Sequence, residues 1–336
     1  MKHALLYQEG LVGWQYGVHK ALEDEIVKQT NAGIITVPEH DFEKKNRRVE
    51  HGRRLGFLRK YLPKMTMEVN ADVAWHVLMA PGDYNLDLIK NWYRDVKYRI
   101  VYVFDTLQTI EQALIDAFSD DTFNIHITSF SEAVPYLERI TGKKWYAIEQ
   151  AAPEDFFECL PAGQRLIPFA SYGRRLPAFH ETLLEFTREN KLYYDFSTYN
   201  GTIITKFDPY MYNHYAWHVS HSMFNVCWPV ELTDPRRAGT FNPITCRWFE
   251  VAAAGTCIIG KKPANEYFDS ILHPDLVVEM DPFKKRKELI RDLEKLWQNR
   301  ETHLKLSQQL RNENIYRWTW KNRVERMLEL IDEIKN

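Results

Sequence analysis

Gly239-Thr-Phe-Asn-Pro-Ile-Thr-Cys-Arg247-Trp-Phe-Glu250-Val-Ala-Ala-Ala-Gly255-Thr-Cys-Ile-Ile259 packs a loop, a short helix, a glycine stop and a buried strand into one run. A helix is expected over 244–254, closed by Gly255, with a strand over 256–260. Arg247 and Glu250 stand three apart and share a side of that helix. N–H groups at a helix start bind anions, and a carboxylate suits a pair of hydroxyl donors, so the run has the parts of a nucleotide site. On its own the pair also reads as a surface ion pair on an ordinary helix.

Outward from this run the chain alternates strand and helix. In the second half, strands are expected over 165–170, 192–195 and 224–227, with helices over 177–190 and 214–223 and an almost wholly helical tail over 282–336. The first half gives strands over 4–7, 33–37, 71–79, 99–104 and 123–128. Its helices are expected over 18–29 and 85–92, with another capped near Ser129 or Ser131. The alternation implies an α/β protein of two Rossmann-like domains, each a parallel sheet covered by helices. We place the domains at 1–150 and 151–311, with a closing helix over 312–336 that packs back on the first. Ligands bind at the carboxyl ends of such sheets, so two facing crevices suit a two-substrate enzyme, although tandem domains of this kind also build binding proteins.

Length and composition agree with two cores. The 336 residues exceed the roughly 250–300 at which single cores stop growing. Forty-four Lys and Arg against 46 Asp and Glu give a net charge of -2, so no global field draws the chain to nucleic acid or anionic lipid. Four cysteines without CxxC or Cys/His metal spacing argue against a disulfide framework and a metal site, and a reducing cytoplasm is expected. No P-loop, HExxH motif or serine triad signature is present.

The run from Gly239 resembles the R-x-F-E-x-x-A-x-G donor-site segment of group 1 glycosyltransferases of the GT-B fold. The strand and basic loop over 167–175, the strand over 223–227 and the closing Trp-Thr-Trp-Lys-Asn-Arg-Val-Glu-Arg-Met-Leu helix over 318–328 extend the likeness through most of the second half. In the first half it is mainly the order of elements and the crossover over 150–157. The resemblance implies that Glu250 binds the ribose hydroxyls and that Gly239, Thr240, Asn242 and Thr245 cradle the donor diphosphate. It implies further that Arg247, Arg174 and Arg175 meet its charge and that Gly13 lets the backbone approach the cleft. Their plainer readings are solvated arginines and an ordinary turn. Asn242 stands where many retaining members carry a second glutamate, so the anomeric outcome stays open. The co-substrate implied is a nucleotide-diphosphate sugar, with UDP the commonest in the family, and no tightly bound cofactor or metal is required.

A base for an inverting reaction should project from the N-terminal crevice. Asp105, at the end of the 99–104 strand, is the first choice, followed by His76 and Asp83. Asp105 also reads as a helix N-cap, and His76 as a core histidine. Residues 44–64 hold nine Lys or Arg and one acidic residue, Glu50, with Leu55, Leu58 and Leu62 on one face. This segment suits a solvated basic helix, a peripheral membrane contact or an acidic acceptor. The expected partners are a nucleotide sugar and a hydroxyl-bearing acceptor such as a glycan or lipid-linked sugar. A sugar-nucleotide epimerase, a binding module with a degenerate donor site and glycosylation of a modified nucleic acid remain as alternatives.

Overall fold

The computed structural model describes residues 1–8, 16–37, 64–81, 86, 89–197 and 209–335. Gly13, Asp83 and nearly all of the basic 44–64 segment lie outside the described residues.

The N-terminal half begins with strand β1 (His3–Tyr7), helix α1 (Tyr16–Thr30) and strand β2 (Gly33–Thr36). Next come β3 (Met65–Thr66), β4 (Val73–Leu78), β5 (Ile89–Lys90) and β6 (Tyr98–Val103), then α2 (Glu111–Phe118), β7 (Ile125–Thr128), α3 (Val134–Thr141) and β8 (Trp145–Ala147). Six strands form one all-parallel sheet in the order β2-β1-β4-β6-β7-β8, while β3 and β5 pair as a separate short ribbon. Every residue of β4 and β7 is buried, as strands covered on both faces must be.

The second half repeats the plan. Strand β9 (Ile167–Ser171), helix α4 (Pro177–Glu189), β10 (Tyr194–Phe196), α5 (Pro209–His221) and β11 (Ser222–Cys227) lead to the short helices α6 (Val230–Thr233) and α7 (Pro235–Ala238). Helix α8 (Cys246–Ala253), β12 (Cys257–Gly260), α9 (Phe268–Ile271) and β13 (Val277–Glu279) follow, and then α10 (Arg286–Gln298), α11 (Arg300–Asn314) and α12 (Trp320–Lys335). Its parallel sheet runs β10-β9-β11-β12-β13, so strand order reverses beside β9, which marks the place where such sheets take ligands. Two parallel sheets of six and five strands establish the α/β, two-sheet plan.

Three local expectations need correction. The helix over 85–92 is not formed at its end, because Ile89–Lys90 pairs with Met65–Thr66 as a strand. Asp105 is not a helix cap: the next helical turn starts at Gln108 with Leu107 at its cap. Neither Ser129 nor Ser131 caps α3. Ser129 instead donates its hydroxyl to the Phe104 carbonyl at 2.6 Å, tying the ends of β6 and β7.

Helix α12 lies against α1. Trp320, Val324, Met327 and Ile331 enter the core that Leu5, Val18, Leu22 and Ile26 build on one face of the first sheet. Ala152 and Trp320 hold the two chain crossings together: the Ala152 N–H donates to the Trp318 carbonyl at 2.9 Å and the Trp320 N–H to the Ala152 carbonyl at 3.1 Å. Arg323 reaches from α12 to the Glu149 carbonyl at 3.1 Å and lies 5.6 Å from the Phe249 ring of α8. The closing helix therefore touches the first sheet, the crossover and the helix that carries Glu250.

Candidate donor site

Glu250 lies in the last turns of α8, nearly sealed from solvent. Both its oxygens are taken, one by the Tyr212 hydroxyl and one by the Tyr215 hydroxyl, each donating at 2.8 Å from α5. Burial raises its carboxyl, and the two tyrosines and Arg247 draw it back toward the charged form. Tyr212 also faces the other half. A Cβ added to Gly17, at the start of α1, would lie 2.3 Å from the Tyr212 ring, so glycine there leaves room for the tyrosine.

Arg247 sits one turn before Glu250, its guanidinium laid over Gly173. That glycine follows β9 with φ +80, and a Cβ on it would meet two guanidinium nitrogens at 2.5 and 2.7 Å. The Nε of Arg247 is buried with no hydrogen-bond partner among the described residues. Arg174, next in the chain, pairs loosely with Asp234 at 3.6 Å. Its guanidinium is lowered from the ordinary arginine value by burial and by Arg237, with Asp234 opposing and Arg247 adding to the shift. Arg237 in α7 completes the group and forms an ion pair with Asp105 of the opposite sheet. Three guanidinium groups thus gather at the mouth of β9 with Asp105 and Asp234 against them. Such a surplus attracts an anion. Burial raises the Asp105 carboxyl, and Arg237 pulls it down.

The segment from Arg237 to Cys246 is docked along the first sheet by backbone donors. The Thr240 N–H donates to Gln108 Oε1 at 3.2 Å, the Asn242 N–H to Glu132 Oε2 at 2.7 Å and the Cys246 N–H to Gln150 Oε1 at 2.6 Å. The backbone of Gly239 stands against the Gln108 side chain, and Thr245 begins α8 without a side-chain cap bond. A pyrophosphate would seek these same N–H groups at the helix start.

Known proteins share both the second half and the overall plan. The model of the family described as "Glycosyl transferase-like" matches residues 166–329, which contain Gly173, Arg174, Arg237, Arg247 and Glu250. The match covers just under half of the chain and shows that this segment is similar to the glycosyl transferase-like family. Two solved structures share the whole architecture. One is Anabaena Alr3699/HepE in complex with UDP-glucose, at 9% identity and TM-score 0.56 over 99% of this chain and 100% of that one. The other is a glycosyltransferase from Rickettsia africae ESF-5, at 11% identity and TM-score 0.53 over 100% and 98%. The two-sheet plan is thus the GT-B fold. No curated protein matches the sequence.

The fold brings Arg174, Arg247, Glu250 and Asp105 into one neighbourhood, with Gly239, Thr240 and Asn242 beside it. Arg175 turns away. Its guanidinium lies 5.0 Å from the Phe196 ring, and one terminal nitrogen is buried without a partner among the described residues. His76 is sealed in the first sheet, its Nδ1 bonded to the Leu6 carbonyl at 3.0 Å and its ring stacked on Phe123 at 6.1 Å. Burial lowers it to about 4, the behaviour of a core histidine. Sequence reasoning missed Tyr212, Tyr215, Arg237, Gln108 and Glu132. Arg237 had a signal, since Arg236-Arg237 stands two residues before the Gly239 loop. Among the described residues no group of three or more His, Cys, Asp or Glu could hold a metal ion, and no helix is long and apolar enough to cross a membrane.

Proposed function

We propose that the protein transfers a sugar from a nucleotide-diphosphate donor, UDP-linked in the first instance, to a hydroxyl of an acceptor. The convergence of Arg174, Arg237 and Arg247 with Glu250 at the mouth of β9 carries this reading. On it, the ribose hydroxyls replace the Tyr212 and Tyr215 hydroxyls on Glu250, exchanging one pair of O–H donors for another. The diphosphate lies against the three guanidinium groups, and the buried Arg247 Nε gains an acceptor.

The acceptor oxygen attacks the anomeric carbon as the bond from that carbon to the phosphate oxygen breaks. Charge grows on the leaving diphosphate, and the arginines stabilise it where it appears. In an inverting reaction Asp105 receives the acceptor proton. A carboxyl raised by burial is the better proton acceptor, and Arg237 holds it at the cleft. Replacing Asp105 by Asn then lowers turnover by about 10²–10⁴-fold.

Isothermal titration with UDP, GDP, ADP and CMP tests the donor site, UDP coming first because the HepE structure of the same fold holds UDP-glucose. The expected result is selective binding of one nucleotide, weakened at least about tenfold, or about 1.4 kcal/mol, by Glu250→Ala. No binding of any of the four to folded protein would overturn the assignment.

A further inference from the structure

Beyond the donor site, α5 presents a second face to solvent. Asn213, Trp217, Ser220 and His221 share one side of the helix, and with Asp155, Phe156 and Glu158 of the crossover they line a groove of about 390 Å³. That lies within the roughly 300–1,000 Å³ typical of small-ligand sites. The groove is built, because the Glu158 N–H donates to the Ser220 hydroxyl at 3.0 Å and pins the crossover to the helix.

Two aromatic rings line it. Trp217 is 47% exposed and Phe156 is 38% exposed, which is unusual for side chains that gain so much from burial. Trp217 is held flat: its indole stacks on the His221 imidazole at 3.9 Å and 22°, and the His221 Nδ1–H donates to the Trp217 carbonyl at 2.8 Å. A fixed, half-exposed indole offers a negative π-face to weakly positive C–H groups. Around it stand acceptors, the carboxylates of Asp155 and Glu158 and the amide of Asn213, and among the described residues the lining contains no Lys or Arg.

We propose that this groove binds an uncharged oligosaccharide, the part of the acceptor chain beyond the reacting sugar. A pyranose supplies what the lining asks for: C–H faces for Phe156 and Trp217 and hydroxyl donors for Asp155 and Glu158. A phosphorylated or uronic-acid chain is repelled by the two carboxylates, as is an anionic lipid headgroup. The groove backs onto the donor site: the Phe156 ring lies 5.4 Å from the buried Tyr212 ring, whose hydroxyl is on Glu250. A chain resting there is one aromatic ring from the donor carboxylate, and its binding energy can be spent at the reacting end. This assignment of the chain as acceptor rests on the transferase reading.

The test is binding of the full-length protein to an array of uncharged and uronic-acid oligosaccharides, with Trp217→Ala and Glu158→Gln beside the wild type. The expected result is retention of uncharged glycans of two or more residues, at least tenfold weaker in Trp217→Ala and weaker in Glu158→Gln, with acidic glycans not retained. Thermal melting of each variant confirms folding, which a half-exposed side chain should leave intact. Failure to retain any uncharged glycan, equal retention by wild type and Trp217→Ala, or preference for acidic glycans overturns the proposal. UDP titration of the same wild-type sample separates the two readings: UDP binding without glycan binding rejects the groove and keeps the donor site, and glycan binding without UDP binding does the reverse.

Discussion

Glu250 holds two tyrosine hydroxyls in a nearly closed pocket, and each bond to its charged carboxylate contributes about 1.5–3 kcal/mol to the fold. A ribose that takes their place competes with them. Tyr212→Phe removes one competitor and should tighten UDP binding, by a few-fold to tenfold, while lowering the melting temperature. The sign is opposite to that of Glu250→Ala, and titration of both variants checks it. Weaker binding in Tyr212→Phe would make the tyrosine a partner of the nucleotide rather than its rival. Arg247 and Glu250 were legible as a pair because three-residue spacing on a helix fixes their side. Tyr212 was not, because its contacts come from α1 and α8, far away in sequence, and local spacing carries no record of them.

The loop between β9 and α4 makes a sharper demand than its sequence announces. Gly173 takes φ +80, and its missing Cβ is the space that the Arg247 guanidinium fills. Gly173→Ala imposes left-handed strain of about 1–2 kcal/mol and pushes the guanidinium aside. UDP affinity should fall about tenfold with circular dichroism unchanged, and retained affinity would take Arg247 out of the phosphate contact. Longer elements were readable because their periods are long: α1, α4 and the helices after Arg286 all follow apolar spacing. Short ones were not. Ile89–Lys90 has two residues and only a two-residue partner, Met65–Thr66, and Trp145–Ala147 has three, too few for any period to show. The failed caps have a different cause, since tertiary partners claimed the side chains: Asp105 went to Arg237 and Ser129 to Phe104.

On the scale of the whole molecule, titratable groups are buried unevenly. His19, His76 and His126 all lie in the N-terminal half, and burial lowers each from 6.5 to about 4. Between these values the unfolded chain holds protons that the folded one refuses, so stability is lost as pH falls from 6.5 toward 4. Glu23 on α1 works the other way: burial raises its carboxyl from 4.5 to about 8, so stability is lost as pH rises through that window. Among the groups shifted furthest, three histidines oppose one glutamate from 4.5 to 6.5, so the histidines set the sign there. Above 6.5 Glu23 acts with the reverse sign. Melting temperature should therefore peak near pH 6.5, falling steeply on the acid side and gently toward pH 8. Hydrogen exchange during acidification should open β1, β4 and β7 before β9, β11 and β12, and the reverse order would mean that the halves do not unfold separately under histidine control. In Glu23→Gln no charge forms inside α1 at high pH, so the gentle alkaline decline should vanish while the acid limb stays. Persistence of the decline in that variant would assign it to other groups.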